Sequence, residues 1–122
     1  MSNENPISAV LVHVSDVPEA IRWYRRAFPH AVLERLDAFD FEFLRLGSVC
    51  LEIVNADEKV GAGPNGSVVY WQVDDFDKAL EHFLSVGAML YRGPLEIQNG
   101  LNMCQVRDPW GNCIGLRGLR IA

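Results

Sequence analysis

Few residue types in this chain are equipped for chemistry, and their spacing narrows what they can do. Cys50, Cys104 and Cys113 are odd in number and lack the CxxC spacing of a zinc ribbon or a redox pair, so they read as reduced thiols in a reducing compartment. A nucleophilic role for one of them would require a histidine close in space to lower the thiol pKa, which spacing alone does not supply. Gly61, Gly63 and Gly66 spell GxGxxG, the pattern of a dinucleotide-binding turn. That turn needs a strand before it and a helix N-terminus after it to hold pyrophosphate, whereas here an apolar strand signal over 67–73 follows; the segment reads as a linker. Arg22, Arg25 and Arg26 cluster on one helical face and read as a solvated face. His82 reads as a surface histidine on the polar side of a second helix.

The elements that position these residues come in two similar copies. Sliding the chain on itself places Val14-Ser15-Asp16-Val17 on Val73-Asp74-Asp75-Phe76, and Ala20, Ile21 and Tyr24 on Ala79, Leu80 and Phe83. In the first helix Val17, Ala20, Ile21, Tyr24 and Phe28 form an apolar stripe. Asp16 with Glu19 reads as a capping box, Pro18 suits the first turn and Pro29 closes the segment. The second helix repeats the stripe with Phe76, Ala79, Leu80, Phe83 and Leu84, and Gly87 stands where a left-handed C-terminal cap is expected. Strand signals span 7–14, 31–36, 39–46 and 49–54 in the first half, and 67–73, 88–91, 102–107 and 112–116 in the second. Each half is therefore β-α-β-β-β, with Asp108-Pro109-Trp110-Gly111-Asn112 as a hairpin turn. The expected fold class is α+β: a single domain over 1–122, made of two units at about 7–54 and 67–119 joined by the Gly-rich linker. The connection 93–101, with Gly93-Pro94 and Asn99-Gly100, reads as a surface loop or a lid.

Composition excludes several classes. The 122 residues are 49% hydrophobic and 22% charged, a globular balance, and the formal charge of -5 opposes the basic footprint of nucleic-acid binding. The opening MSNENPIS lacks a basic segment followed by an apolar one, and no uncharged apolar run approaches the length of a membrane span. The expectation is a cytoplasmic protein with no membrane and no nucleic-acid partner.

Val-Ser-Asp before the first helix, Val-Asp-Asp before the second and Asp-Pro-Trp-Gly-Asn-Cys-Ile before the last strand give the chain its resemblance to the vicinal oxygen chelate superfamily. That group includes glyoxalase I, bleomycin-resistance proteins and extradiol dioxygenases. The resemblance implies two four-stranded units in a curved mixed sheet around a cavity, helices outside, often completed in a homodimer. It also implies, in metal-dependent members, four ligands on the first and last strands of each unit. Those positions fall here on Ala9, Glu52, Val68 and Gly115, of which Glu52 alone can ligate. A single carboxylate does not hold a catalytic metal, which normally keeps three protein ligands. His13 shares a face with Ala9 but lies about 13 Å further along an extended strand.

On the cavity side, alternation places Ala9, Leu11 and His13, their repeat equivalents Val68, Tyr70 and Gln72, and Cys50, Glu52 and Val54. Cys113, Gly115 and Arg117 would face the same way from the last strand. This describes an apolar cleft with a few hydrogen-bonding groups, as in a small-molecule pocket. The expected ligand-binding residues are His13, Glu52, Tyr70, Gln72 and Cys113. The same side chains also read as interior filling, and both readings stay open. Phe39, Phe41 and Phe43 read as core under a helix, which would leave Asp40 and Glu42 at the cleft or its rim and favour a cationic ligand.

Three functions follow. The first is a metal-independent protein that sequesters or carries a small organic ligand, with no cofactor. The second is a glyoxalase-like lyase or isomerase, or a dioxygenase, with a divalent metal on Glu52. In the third, the fold serves as a partner subunit with an empty cavity.

Overall fold

A computed structural model describes residues 6–121; the opening residues 1–5, part of the segment read above as carrying no leader, lie outside the described residues. The chain divides into two compact units, with the division between Gly61 and Ala62, inside the Gly-rich segment.

The first unit runs β1 (Ala9–Val14), α1 (Val17–Ala27), β2 (Val32–Leu36), β3 (Phe41–Leu46) and β4 (Val49–Asn55), with strand order β1-β4-β3-β2. The crossover through α1 sets β2 running parallel to β1, and two antiparallel steps, β2 to β3 and β3 to β4, leave β4 parallel to β1 as well, its neighbour in the sheet. Asp16 caps α1 by accepting from the Glu19 N–H at 3.1 Å, while the Glu19 side chain turns to Arg22 at 2.8 Å. Ala20, Trp23, Tyr24 and Ala27 are the buried face of α1. The sheet residues buried with them are Val14, Leu44, Leu51 and Ile53, none more than 2% exposed.

The second unit repeats the plan with β5 (Tyr70–Val73), α2 (Phe76–Ser85), β6 (Met89–Glu96), β7 (Leu101–Arg107) and β8 (Cys113–Leu119), ordered β5-β8-β7-β6. Asp75 caps α2 through the Lys78 N–H at 3.2 Å, and Gly87 adopts φ 104° where the helix ends. Phe76 and Phe83 from α2 are buried, as are Cys104, Val106, Ile114 and Leu116 on the sheet. The Asp108 carboxylate, 4% exposed, ties the hairpin turn by accepting from the Trp110 and Asn112 N–H groups at 2.8 Å each. Among the described residues no helix is long and apolar enough to cross a membrane.

Two expectations change. The segment 93–101 is mostly strand: β6 continues to Glu96 through two register shifts, leaving a short turn, Gln98–Gly100, rather than a lid. Pro94 is accommodated because β6 is the sheet edge, where a missing N–H leaves no ladder bond unmade. The phenylalanine stripe is also not under the helix. Phe39 lies in a turn, 78% exposed, and the pairing Leu44↔Leu51 sets Leu44 on the helix side. Phe41 and Phe43 therefore point to the opposite face, stacked on each other at 6.1 Å.

Candidate functional site

The helix-free face of the first unit follows from the register. Ala9, Leu11 and His13 of β1 pair with Cys50, Glu52 and Val54 of β4, so all six side chains share that face. Glu52 is half-buried and stands beside Leu11, with His13 one step further along β1. His13 lies near the turn after β4: the Asp57 carboxylate is held below its ordinary range by the N–H groups of Val60 and Lys59, and proximity to His13 adds to this. On β3, Arg45 pairs with Glu34 and covers the Phe43 ring at 5.7 Å. Asp40 and Glu42 both pair with Arg35, Glu42 at 4.0 Å, instead of presenting free charge to a cleft.

The corresponding face of the second unit is more polar. Its central row crosses all four strands as Tyr70, Gly115, Gln105 and Arg92. Gln72, Arg117 and Met103 form the row on one side, and Cys113 and Arg107 lie on the other. Gly115 has no side chain, and the Tyr70 ring fills the space: a Cβ at Gly115 would stand 2.5 Å from a ring carbon. The Tyr70 oxygen accepts from the Gln105 amide at 2.8 Å, and the Cys113 thiol donates to the Gln105 carbonyl oxygen at 3.3 Å. The Arg117 guanidinium lies over the Tyr70 ring at 4.7 Å, and its Nε is buried without a hydrogen-bond partner. Arg107 donates from Nε to the Gly111 carbonyl at 3.0 Å and covers Tyr91 at 5.3 Å.

Three of the five expected site residues, Tyr70, Gln72 and Cys113, thus share the second unit's face, and His13 and Glu52 share the first's. Gln105, which joins Tyr70 to Cys113, is absent from the sequence expectation, as are Arg92 and Arg107. Their alternation within their own strands was visible, but which neighbours they meet depends on register. Burial, with the nearby Asp108 carboxylate, pushes the Cys113 thiol up, outweighing the pull of Arg107 and Arg92 in the other direction.

The sequence pattern of the Glyoxalase/Bleomycin resistance protein/Dioxygenase superfamily matches residues 7–116. The chain belongs to this superfamily. Three solved structures share its fold at low identity. A glyoxalase/bleomycin resistance protein/dioxygenase family enzyme from Burkholderia phytofirmans PsJN has TM-score 0.73 and 19% identity, covering 94% of this chain and 99% of its own. A lactoylglutathione lyase from Agrobacterium tumefaciens has TM-score 0.71 and 19% identity, covering 96% of each chain. TioX from Micromonospora sp. ML1 has TM-score 0.70 and 20% identity, covering 93% of this chain and 98% of its own. No curated protein matches the sequence.

The superfamily's metal-dependent pattern does not fit the donors present. Ala9, Val68 and Gly115 supply no ligand atom from a side chain, Glu52 pairs with apolar Leu11, and the Tyr70 ring covers Gly115. Among the described residues no group of three or more His, Cys, Asp or Glu side chains could hold a metal ion.

Proposed function

We propose that this superfamily member binds a small organic molecule on the helix-free faces of its sheets, without a metal, and sequesters or carries it. The observation that carries this reading is the Tyr70 ring seated over Gly115. A side chain from the neighbouring strand fills the position where a metal ligand would stand, and it is linked through Gln105 to Cys113. Together with Gln72 and Arg117, these groups offer hydrogen bonds beside an aromatic surface, the usual composition of a ligand-binding wall. On the first unit's face, His13 and Glu52 supply the polar groups beside Leu11 and Phe43.

Two measurements test it. Elemental analysis of tag-free protein, followed by calorimetric titration with zinc, nickel, manganese and ferrous iron, is expected to show no stoichiometric metal. Tight one-to-one binding lost on Glu52→Gln would overturn the metal-independent reading in favour of a glyoxalase-like or dioxygenase reaction. A calorimetric screen of aromatic compounds spanning negative, neutral and positive charge is expected to find ligands. Failure of every compound to bind at millimolar concentration would leave the fold without a binding role.

A further inference from the structure

The charged groups on the second unit's helix-free face are all cationic. Arg92, Arg107 and Arg117 all stand on it, and no described carboxylate forms an ion pair with any of them; the ion pairs engage Arg22, Arg35, Arg45 and Arg120. The unit's own carboxylates are elsewhere. Asp74, Asp75, Asp77 and Glu81 belong to the start and body of α2, Glu96 pairs with Asn102 on the opposite face, and Asp108, the one carboxylate near Cys113, is buried and occupied by its turn. The side-chain network has a direction as well. Cys113 donates to Gln105, Gln105 donates to Tyr70, and the Tyr70 hydroxyl is left with its own proton to give. The buried Arg117 Nε–H adds a donor without an acceptor, an unfavourable state unless something accepts from it.

A face with three guanidiniums in no ion pair, one of them with its Nε–H buried and unsatisfied, and with a free hydroxyl proton, is suited to an external anionic acceptor. We propose that this face is the subsite for the acid group of the ligand. The ligand is an organic anion, a carboxylate or phosphonate, held by Arg117 and the Tyr70 hydroxyl, with Arg92 and Arg107 supplying the surrounding positive field. This rests on the small-molecule reading above and names its ligand class. It reverses the expectation of a cationic ligand, because Asp40 and Glu42 are already paired with Arg35.

The test uses phenylphosphonate, benzoate, benzamide and benzamidine, which share a ring and differ in charge, titrated calorimetrically into the intact protein at low salt. Phenylphosphonate is expected to bind about tenfold more tightly than benzamide, weakening as salt is raised. Arg117→Met, and independently the exposed Arg92→Gln, are each expected to lower phenylphosphonate affinity at least about threefold while leaving benzamide unchanged. Arg25→Gln on the exposed face of α1 removes the same charge and is expected to change neither. Arg92→Gln keeps the test valid if Arg117→Met does not fold. Benzamide or benzamidine binding as tightly as phenylphosphonate would overturn the anion assignment while leaving the small-molecule reading intact. Failure of all four probes would overturn both.

Discussion

The contact between Tyr70 and Gly115 gives a prediction whose sign reverses with background. Gly115 lies in β8 with a φ that any residue adopts, so alanine there meets no backbone penalty, only the ring carbons of Tyr70 at 2.5, 2.7 and 2.8 Å. Real Cβ atoms do not approach that closely, so the ring must leave and give up its 2.8 Å bond from Gln105. Forced repacking of this kind costs about 1–3 kcal/mol, and we take about 2 kcal/mol for Gly115→Ala. With a urea m-value of about 2 kcal/mol/M, the unfolding midpoint falls by about 1 M. In a Tyr70→Ala background the obstruction is gone, and the same change is expected to stabilise by about 0.5 kcal/mol, because glycine inside a strand is entropically costly. The coupling between the two sites is then about 2.5 kcal/mol, well above the additivity error of a double-mutant cycle. Gly118→Ala is the contrast. Its Cβ would run into the Val73 carbonyl oxygen, a backbone atom, so its cost is larger and trimming Val73 to alanine does not recover it. Urea melts of the four Tyr70/Gly115 variants decide the matter. A midpoint for Gly115→Ala within error of the parent, or equal effects in both backgrounds, would refute the reasoning.

Two other outcomes are expected. Asp108→Ala strands two N–H groups and the Asn112 amide, which accepts in turn from the Gly63 N–H at 3.0 Å; a loss of about 3 kcal/mol in a urea melt is expected, and a loss under about 0.5 kcal/mol would show the turn holds without its carboxylate. Burial raises the Cys104 thiol from 9.0 to about 11, so folding favours its protonated form; stability is expected to be flat up to about pH 9 and to fall as pH rises toward 11. Cys104→Ala should flatten that fall, and an unchanged slope would contradict the assignment. Cys113, also raised, is expected to react with iodoacetamide at pH 8 more slowly in the folded protein than in urea, as read by mass spectrometry of its peptide.

Most of the fold was legible in the chain because local rules and the repeat agree. The duplicated Asp before each helix became two matching N-caps, Gly87 ended α2 in a left-handed conformation, and the 108–112 segment formed its turn around Asp108. Both superfamily membership and the β-α-β-β-β order follow from those residues. The edges of elements were less legible. Pro94 reads as a loop signal in sequence, yet an edge strand tolerates it through register shifts that no local pattern announces.

What only the tertiary structure decided was parity and partnership. Along 39–46 both faces carry apolar side chains, so alternation allows either Phe41 and Phe43 or Leu44 and Leu46 under the helix; the pairing of Leu44 with Leu51 makes the choice. The same holds at the site. The sequence by itself determined that Tyr70 and Gln72 share a parity, that Cys113 and Gly115 share one, and that Gly115 carries no side-chain ligand. Cross-strand register, a property of hydrogen bonds between segments far apart in the chain, brought Gln105 between Tyr70 and Cys113 and seated the Tyr70 ring on Gly115. It also gathered three arginines on one face of an acidic protein, which net charge, summed over the whole chain, conceals.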